Sequence, residues 1–331
     1  MSEKIQPFCG QEWTDGKTGI KYWLGPEHLG GHSIVRDWSA DDTAASARWS
    51  GHKHPSERVA IGCENIACNH AKIKSSPGII DLELKDSDTV FLIGSGSSLR
   101  YHLDWLPEIS RRGTTIATNR AIGAFKNVAE LLDYGWVSDP EAWKAVGDFW
   151  TYGEFGGTKL VANFAADARV MDAAGEVFFH GDCVGTVPEW EDGLACYGID
   201  KARYGVLDSG WCALFSQLHL LYKLSKEYEF NKIVLLGHDF ALVDNWRYFD
   251  QPVKVDEAFQ KTVSDPGHSL LFSCDINGVL VATQNYLFRQ SELIKVACRQ
   301  FATRGIKVIN ATNGGILFGQ GIEQGDLDDL L

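Results

Sequence analysis

The sequence lacks most of the features that would take it out of the soluble globular class. No apolar run approaches the roughly 20 residues that a membrane-crossing helix needs, so no membrane span is expected. The opening MSEKIQPFCG is polar and has no basic-then-apolar leader pattern, which leads us to expect a cytoplasmic location. Cysteine is sparse, at 8 in 331 residues, and Cys196, Cys212 and Cys298 stand among apolar neighbours. They read as reduced core thiols rather than as a disulfide frame. Positive charge is in deficit. The formal net charge is −13 with acidic residues spread along the chain, and this disfavours nucleic acid as a partner because phosphate contacts require clustered Lys and Arg. Hydrolase signatures are missing as well: there is no Gly-x-Ser-x-Gly elbow and no His-Glu-x-x-His.

What is present suffices for a large core. At 44% hydrophobic and 23% charged, the chain has ordinary globular composition, and its length fits one large or two smaller domains. Residues 1 to 80 differ from the rest. They are rich in Trp, His, Gly and Asp, show little sustained periodicity, and are expected to form an irregular N-terminal arm or subdomain. Within them Cys63, Cys68 and His70 lie close together, with His52 and His54 upstream. Thiolates and imidazoles at short spacing suit a structural Zn²⁺, but the usual Cys-x2-Cys pair is absent and unligated residues are the simpler reading.

From Asp88 onward, strand, loop and helix patterns repeat. Residues Val90 to Leu99, VFLIGSGSSL, run from four apolar residues into a small-residue turn. Leu103, Trp105, Leu106 and Ile109 then have helical spacing. Two readings of the turn stand open. One is a phosphate loop made by backbone N–H groups at a helix start; the other is a tight strand-to-helix turn. The third glycine of the dinucleotide fingerprint is replaced by Leu99, and no Gly-Lys-Ser/Thr makes a P-loop. Further strands are expected at Thr114 to Thr118, Leu131 to Val137, Lys159 to Asn163, Val177 to Phe179, Lys232 to Leu236 and Lys307 to Ile309. Helices are expected over Ser209 to Tyr228 and Tyr286 to Arg304, with a hairpin around Asn277-Gly278 between them. The fold class is therefore α/β: a Rossmann-like, open, mainly parallel sheet with helices on both faces and a β-hairpin insertion. We expect residues 81 to 322 to form this domain and the acidic residues 323 to 331 to fray as a tail.

In such sheets ligands bind outside the carboxyl ends of the strands. Five expected strands end in polar clusters: Gly94 to Ser98, Asn119-Arg120, Ser138-Asp139, Gly237-His238-Asp239 and Asn310 to Gly315. Glycine and serine N–H groups suit a phosphate, Asn119 a ribose or phosphate oxygen, and Asp139 and Asp239 hydroxyls or Mg²⁺. Each is also a turn former in its own right. Ser209-Gly210 at a helix start could meet an anion or act as a plain cap. His238 and His268 could serve as general bases.

The ordered series VFLIGSGSSL, TNRAI, Ser138-Asp139, LDSGWCALFSQLHLLYKL, KIVLLGHDFAL with Tyr248 soon after, DINGVLVAT and VINATNGGILFG resembles the 6-hydroxymethylpterin diphosphokinase MptE-like family. Motility-associated factors that glycosylate flagellin contain the same domain, and the layout is similar to that of bacterial sialyltransferases using a CMP-activated sugar. The resemblance spans residues 88 to 322 and implies a nucleotide-binding transferase domain. It implies that Gly94, Ser95, Gly96, Ser97 and Ser98 form the phosphate loop, with Asn119 and Asp139 at the donor site. Ser209 and Gly210 would approach the nucleotide, Asp239 would lie at the end of the central strand, and Asn313, Gly314 and Gly315 would complete the pocket. Asn313 stands where the family often has Glu, which removes a carboxylate. Two transferase activities follow. One is transfer of a sugar from a nucleotide-sugar to an acceptor hydroxyl on a small molecule or glycan, with His268 or Asp239 as base. The other is transfer of diphosphate from ATP to a hydroxymethylpterin-type acceptor, with Mg²⁺ held by Asp139 or Asp239. The scarcity of basic residues near the loop, where Arg100 and Arg120 stand, favours glycosyl transfer. A non-catalytic nucleotide-binding protein is the third reading.

Overall fold

The computed structural model describes residues 11–14, 21–24, 33–35, 55–143, 158–184, 187–208, 212–243, 246–252 and 270–331. Strands β1 (Gln11–Thr14), β2 (Lys21–Leu24) and β3 (Ser33–Val35) pair antiparallel as a small sheet of their own, and helix α1 (Pro55–Ser75) follows. The chain then runs through β4 (Thr89–Ile93), α2 (Leu106–Arg112), β5 (Thr114–Thr118), β6 (Tyr134–Val137) and β7 (Lys159–Asn163). Next come α3 (Ala168–Ala173), β8 (Glu176–Val184), α4 (Pro188–Cys196), α5 (Lys201–Tyr204), β9 (Val206–Asp208), α6 (Ala213–Leu224) and β10 (Lys232–Leu236). Two hairpins follow, β11 (Trp246–Tyr248) with β12 (Gln251–Pro252), and β13 (Leu270–Cys274) with β14 (Leu280–Gln284). The chain closes with α7 (Asn285–Ala302), β15 (Lys307–Asn310), β16 (Glu323–Gln324) and α8 (Leu327–Leu330).

Nine strands form one sheet in the order β16-β15-β10-β4-β5-β6-β7-β8-β9, and every neighbouring pair is parallel. This is the expected α/β architecture. Alternation along each strand sends side chains to opposite faces. Phe91, Ile93, Val137 and Ala162 pack with Ile66 and Ile73 of α1 and Leu106 and Ile109 of α2; Val90, Leu92, Ile116 and Val161 pack with Leu214, Leu218 and Leu221 of α6 and Phe301 of α7. The chain winds outward from β4 to β9, then returns to place β10 on the other side of β4. The winding direction therefore reverses between β4 and β10, and a reversal of this kind opens a crevice at the strands' carboxyl ends.

Several expectations are corrected. Residues 55–75, inside the stretch expected to be irregular, form a 21-residue helix whose Ile66 and Ile73 are fully buried, so the core reaches back before residue 80. The helix expected to start right after VFLIGSGSSL begins only at Leu106. Two 3₁₀ turns, Ser97–Tyr101 and Leu103–Trp105, intervene, and α2 is only 7 residues long with its start fixed by Pro107. The helix expected from Ser209 begins at Ala213, after an extended Cys212. The acidic end is packed rather than frayed: β16 pairs with β15, the Asp326 side chain caps α8, and Leu327 is fully buried. Cys298 is buried as expected, but Cys196 is exposed. Among the described residues no helix is long and apolar enough to cross a membrane.

Candidate functional site at the β4–β10 seam

The ends of β4 and β10 continue as two interlocked turns. The Gly94 N–H donates to the Leu236 carbonyl and the Gly96 N–H to the Gly237 carbonyl, both at 2.7 Å. A Cβ on Gly94 would stand 2.5 Å from the Gly237 oxygen, and one on Gly96 would stand 2.6 Å from the Asp239 carboxylate. Gly237 has φ +65°, and its Cβ would meet the Gly94 oxygen at 2.4 Å. Glycine is thus required here by the crossing of two backbones. Asp239, 1% exposed, closes the seam. Its Oδ2 accepts from the Ser98 N–H at 2.9 Å and the Ser97 hydroxyl at 3.0 Å, and its Oδ1 accepts from the Ser98 hydroxyl. Burial pushes the Asp239 carboxyl up, and the hydrogen bonds from Ser98 and Ser97 oppose that shift. The donors expected to hold a phosphate therefore hold a carboxylate of the same chain. Behind the turn, the Ile316 N–H donates to the Asp239 carbonyl at 2.9 Å, and the Thr312 hydroxyl accepts from the His238 N–H at 3.3 Å.

Beside this seam lies a cleft of about 190 Å³. Its walls come from Gly94 to Gly96, Thr118 at the end of β5, Cys212 to Leu214 at the start of α6, Gly237 to Leu242, Tyr248, and Leu287 and Gln290 early in α7. The first turns of two helices thus border one cavity, and their N–H groups and dipoles favour negative charge there. His238 is 7% exposed, and its Nε2 has no partner. Burial drives its pKa down to about 3, opposed only by a hydrogen bond with the Leu92 carbonyl, so the imidazole is neutral at pH 7. Its ring lies near that of Phe240, centroids 6.5 Å apart at 23°. Phe240 has φ +51°, an unusual backbone state for a bulky residue. The hairpin holds it there, with the Thr283 hydroxyl donating to the Phe240 carbonyl at 2.6 Å and Leu242 bridging to Ala282.

A flap made of β11 and β12 completes the rim. The Phe249 N–H donates to the Ser95 carbonyl at 3.1 Å. Arg120 Nε donates to both oxygens of Asp250 at 2.8 and 3.1 Å, and its guanidinium lies 4.7 Å from the centre of the Tyr248 ring. Sequence reasoning missed Phe240, Asp250 and Gln290 as parts of this site. Phe240 stands inside KIVLLGHDFAL beside Asp239 and could have been drawn from it, whereas Asp250 and Gln290 carry no local motif and reach the rim and the cleft only through the tertiary fold.

The other anticipated residues divide into three groups. Asn119 begins the 3₁₀ turn after β5, next to Thr118 of the cleft, with a buried Oδ1 that has no partner. Asp139 is turned away: its Oδ1 accepts from Arg58 of α1 and from the Glu141 N–H, both at 2.9 Å. It lies three strands from β10, about 14 Å at the usual strand spacing, so Asp139 and Asp239 do not share one Mg²⁺. Asn313 is exposed with φ +56°, and Gly315 backs onto the Asp239 main chain, where a Cβ would stand 2.1 Å from its oxygen. Gly314 contacts Val243. None of these three lines the cleft. Ser209, Gly210 and His268 lie outside the described residues.

Cys63, Cys68 and His70 all sit on α1 and do not converge. The Cys63 thiol is directed at the Glu189 carbonyl and is pushed up by burial and by Glu189 and Glu64, Cys68 is exposed, and His70 stacks on Tyr197 at 4.6 Å. Among the described residues no three His, Cys, Asp or Glu side chains gather as a metal site, and Cys63, Cys68 and His70 do not form the anticipated zinc donor set.

No protein-family profile matches the chain, and no curated protein matches it. Among solved structures the chain is similar to the MAf glycosyltransferase from Magnetospirillum magneticum AMB-1, with a TM-score of 0.54 and 14% identity, covering 80% of this chain and 38% of that one. At that identity the likeness establishes a shared fold. The chain spans well under half the length of that neighbour.

Proposed function

We propose that the chain is a nucleotide-dependent transferase, and specifically a glycosyltransferase that moves a sugar from a nucleotide-activated donor to an acceptor hydroxyl on a small molecule or glycan. The observation that carries this reading is the cleft at the point where the sheet's winding reverses, bordered by the first turns of α6 and α7. Its described lining contains no Lys or Arg and is largely apolar or neutral. A nucleoside and a sugar fit such walls. A metal-bound triphosphate fits them poorly, and this weighs against diphosphate transfer from ATP. The fold shared with a glycosyltransferase is consistent with the proposal.

In this reading the seam places the nucleotide and the flap covers it, excluding water that would hydrolyse the donor. Asp239 has both oxygens engaged and acts as a clamp that shapes the cleft. His268 is the proposed general base.

Thermal-shift measurements against CMP, CDP, UDP, GDP and ATP, each with and without Mg²⁺, test the reading. A raised Tm with a nucleoside mono- or diphosphate is expected. Stabilisation by ATP with Mg²⁺ alone would turn the assignment to diphosphate transfer, and no stabilisation by any nucleotide would remove it.

A further inference from the structure

We infer that Arg120 is the residue that binds the phosphate of the ligand in the cleft, and that Asp250 and Tyr248 hold its guanidinium in position for that task. This deepens the nucleotide reading above and rests on it. Arg120 follows Thr118, a wall of the cleft, by two residues, and its guanidinium covers the ring of Tyr248, another wall. Both carboxylate contacts run through Nε alone. Among the described residues the two terminal Nη groups have no hydrogen-bond partner. They form a planar pair of donors matched in spacing to two oxygens of a phosphate or carboxylate.

The surroundings make this fork the natural anion receptor. The Ser97 and Ser98 donors are taken by Asp239, and the cleft walls supply no cation of their own. Arg120 and Asp250 are each 26% exposed, so the pair is shielded enough for fixed geometry and open enough for ligand to reach it. The flap is anchored independently by the Phe249 N–H on the Ser95 carbonyl. Asp250 is therefore delivered to the Nε edge of Arg120 without blocking the Nη edge, which makes it a positioning residue rather than a competing anion.

The test compares each nucleoside with its own 5′-monophosphate, using cytidine and CMP, uridine and UMP, and guanosine and GMP, by isothermal titration calorimetry on the full chain. For the unaltered chain the monophosphate should bind about tenfold or more tighter than its nucleoside, the value of a charge-assisted hydrogen-bonded pair. Arg120→Ala should bring that ratio close to unity. Asp250→Ala should lower the ratio, and Asp250→Asn should restore it, since the amide oxygen still accepts from Nε. Arg120→Gln, with Tm recorded for every variant, covers the case in which Arg120→Ala fails to fold. An unchanged ratio in the Arg120 variants would overturn the inference while leaving the nucleotide reading intact. Tighter monophosphate binding by Asp250→Ala would overturn the positioning role. Failure of the unaltered chain to bind any of the six compounds would overturn both readings together.

Discussion

At the ends of β6 and β7 the polar residues are occupied by other parts of the fold. Arg58 of α1 holds Asp139, Asn65 donates to the Pro140 and Ala165 carbonyls at 2.9 and 3.0 Å, and Asn69 donates to the Ala166 carbonyl at 2.9 Å. Asp167 caps α3 and accepts from the Trp143 N–H. Three strands away, the ends of β4 and β10 are tied to each other by Asp239, and a cleft stays open beside them. The same kind of sequence, an apolar run ending in Asn, Asp, Ser or Gly, yields a sealed edge in one half of the sheet and a cavity in the other. A helix lies across the first half, whereas at the second the winding direction reverses.

The comparison can be broken from either side. Acid acts on both halves and has the largest expected effect. His180 in β8, His219 in α6 and His238 at the seam are buried, and desolvation lowers their pKa values to about 4, 3 and 3. The folded state holds them neutral where the unfolded chain, with pKa near 6.5, takes up protons. Stability is therefore full above about pH 6.5 and falls by up to about 1.4 kcal/mol per histidine for each unit of pH below that, down to the folded pKa. Urea midpoints between pH 7.5 and 5 should drop steeply, and His219→Gln should flatten the slope; a midpoint independent of pH would show these histidines protonating freely.

Gly237→Ala comes next. Its Cβ would meet the Gly94 oxygen at 2.4 Å in a backbone with φ +65°, and a loss of about 4 kcal/mol or failure to fold is expected. A loss under about 1 kcal/mol in chemical denaturation would mean that the two turns can separate. Asp239→Ala strands the Ser98 N–H and two hydroxyls and should cost about 3 kcal/mol, with nucleotide binding weakened because the cleft loses its shape. Stability equal to that of the unaltered chain would contradict a clamp.

In the sealed half, Asn65→Ala and Asn69→Ala each leave main-chain carbonyls unpaired and should cost about 2 kcal/mol, with no change in nucleotide affinity. A change in affinity as large as that of Asp239→Ala would erase the distinction between the halves.

How much of this was legible in the sequence follows the same division. The strands over 114–118, 159–163 and 232–236 coincide with their apolar or β-branched runs, and the hairpin forms around Asn277-Gly278, where Asp275 accepts from the Asn277 and Val279 N–H groups. Helix α1 was hidden because Asn65 and Asn69 sit on its buried face, interrupting the apolar stripe in order to satisfy carbonyls. The glycines of Gly94-Ser-Gly were correctly singled out as a special turn, yet their cause was non-local. It lies in Gly237 to Asp239, far along the chain, and spacing alone could not distinguish a loop closed on a carboxylate from one awaiting a phosphate. The cleft lies at the strands' carboxyl ends; Phe240 stood inside KIVLLGHDFAL without a role assigned to it, and Asp250 had no pattern to mark it.

The return of the chain to β10 also governs when the cleft can come into being. Ser97 and Asp239 are 142 residues apart, and their hydrogen bond closes a loop that contains β5 to β9. Contacts of such long range pay loop-closure entropy before they give anything back, and they slow folding. Strands β4 to β9 can pair in order as they leave the ribosome, but the seam must wait for β10. A nascent or truncated chain ending before Asp239 would carry the sealed half of the edge and no cleft, so ligand binding reports on completed folding of the sheet rather than on its first half.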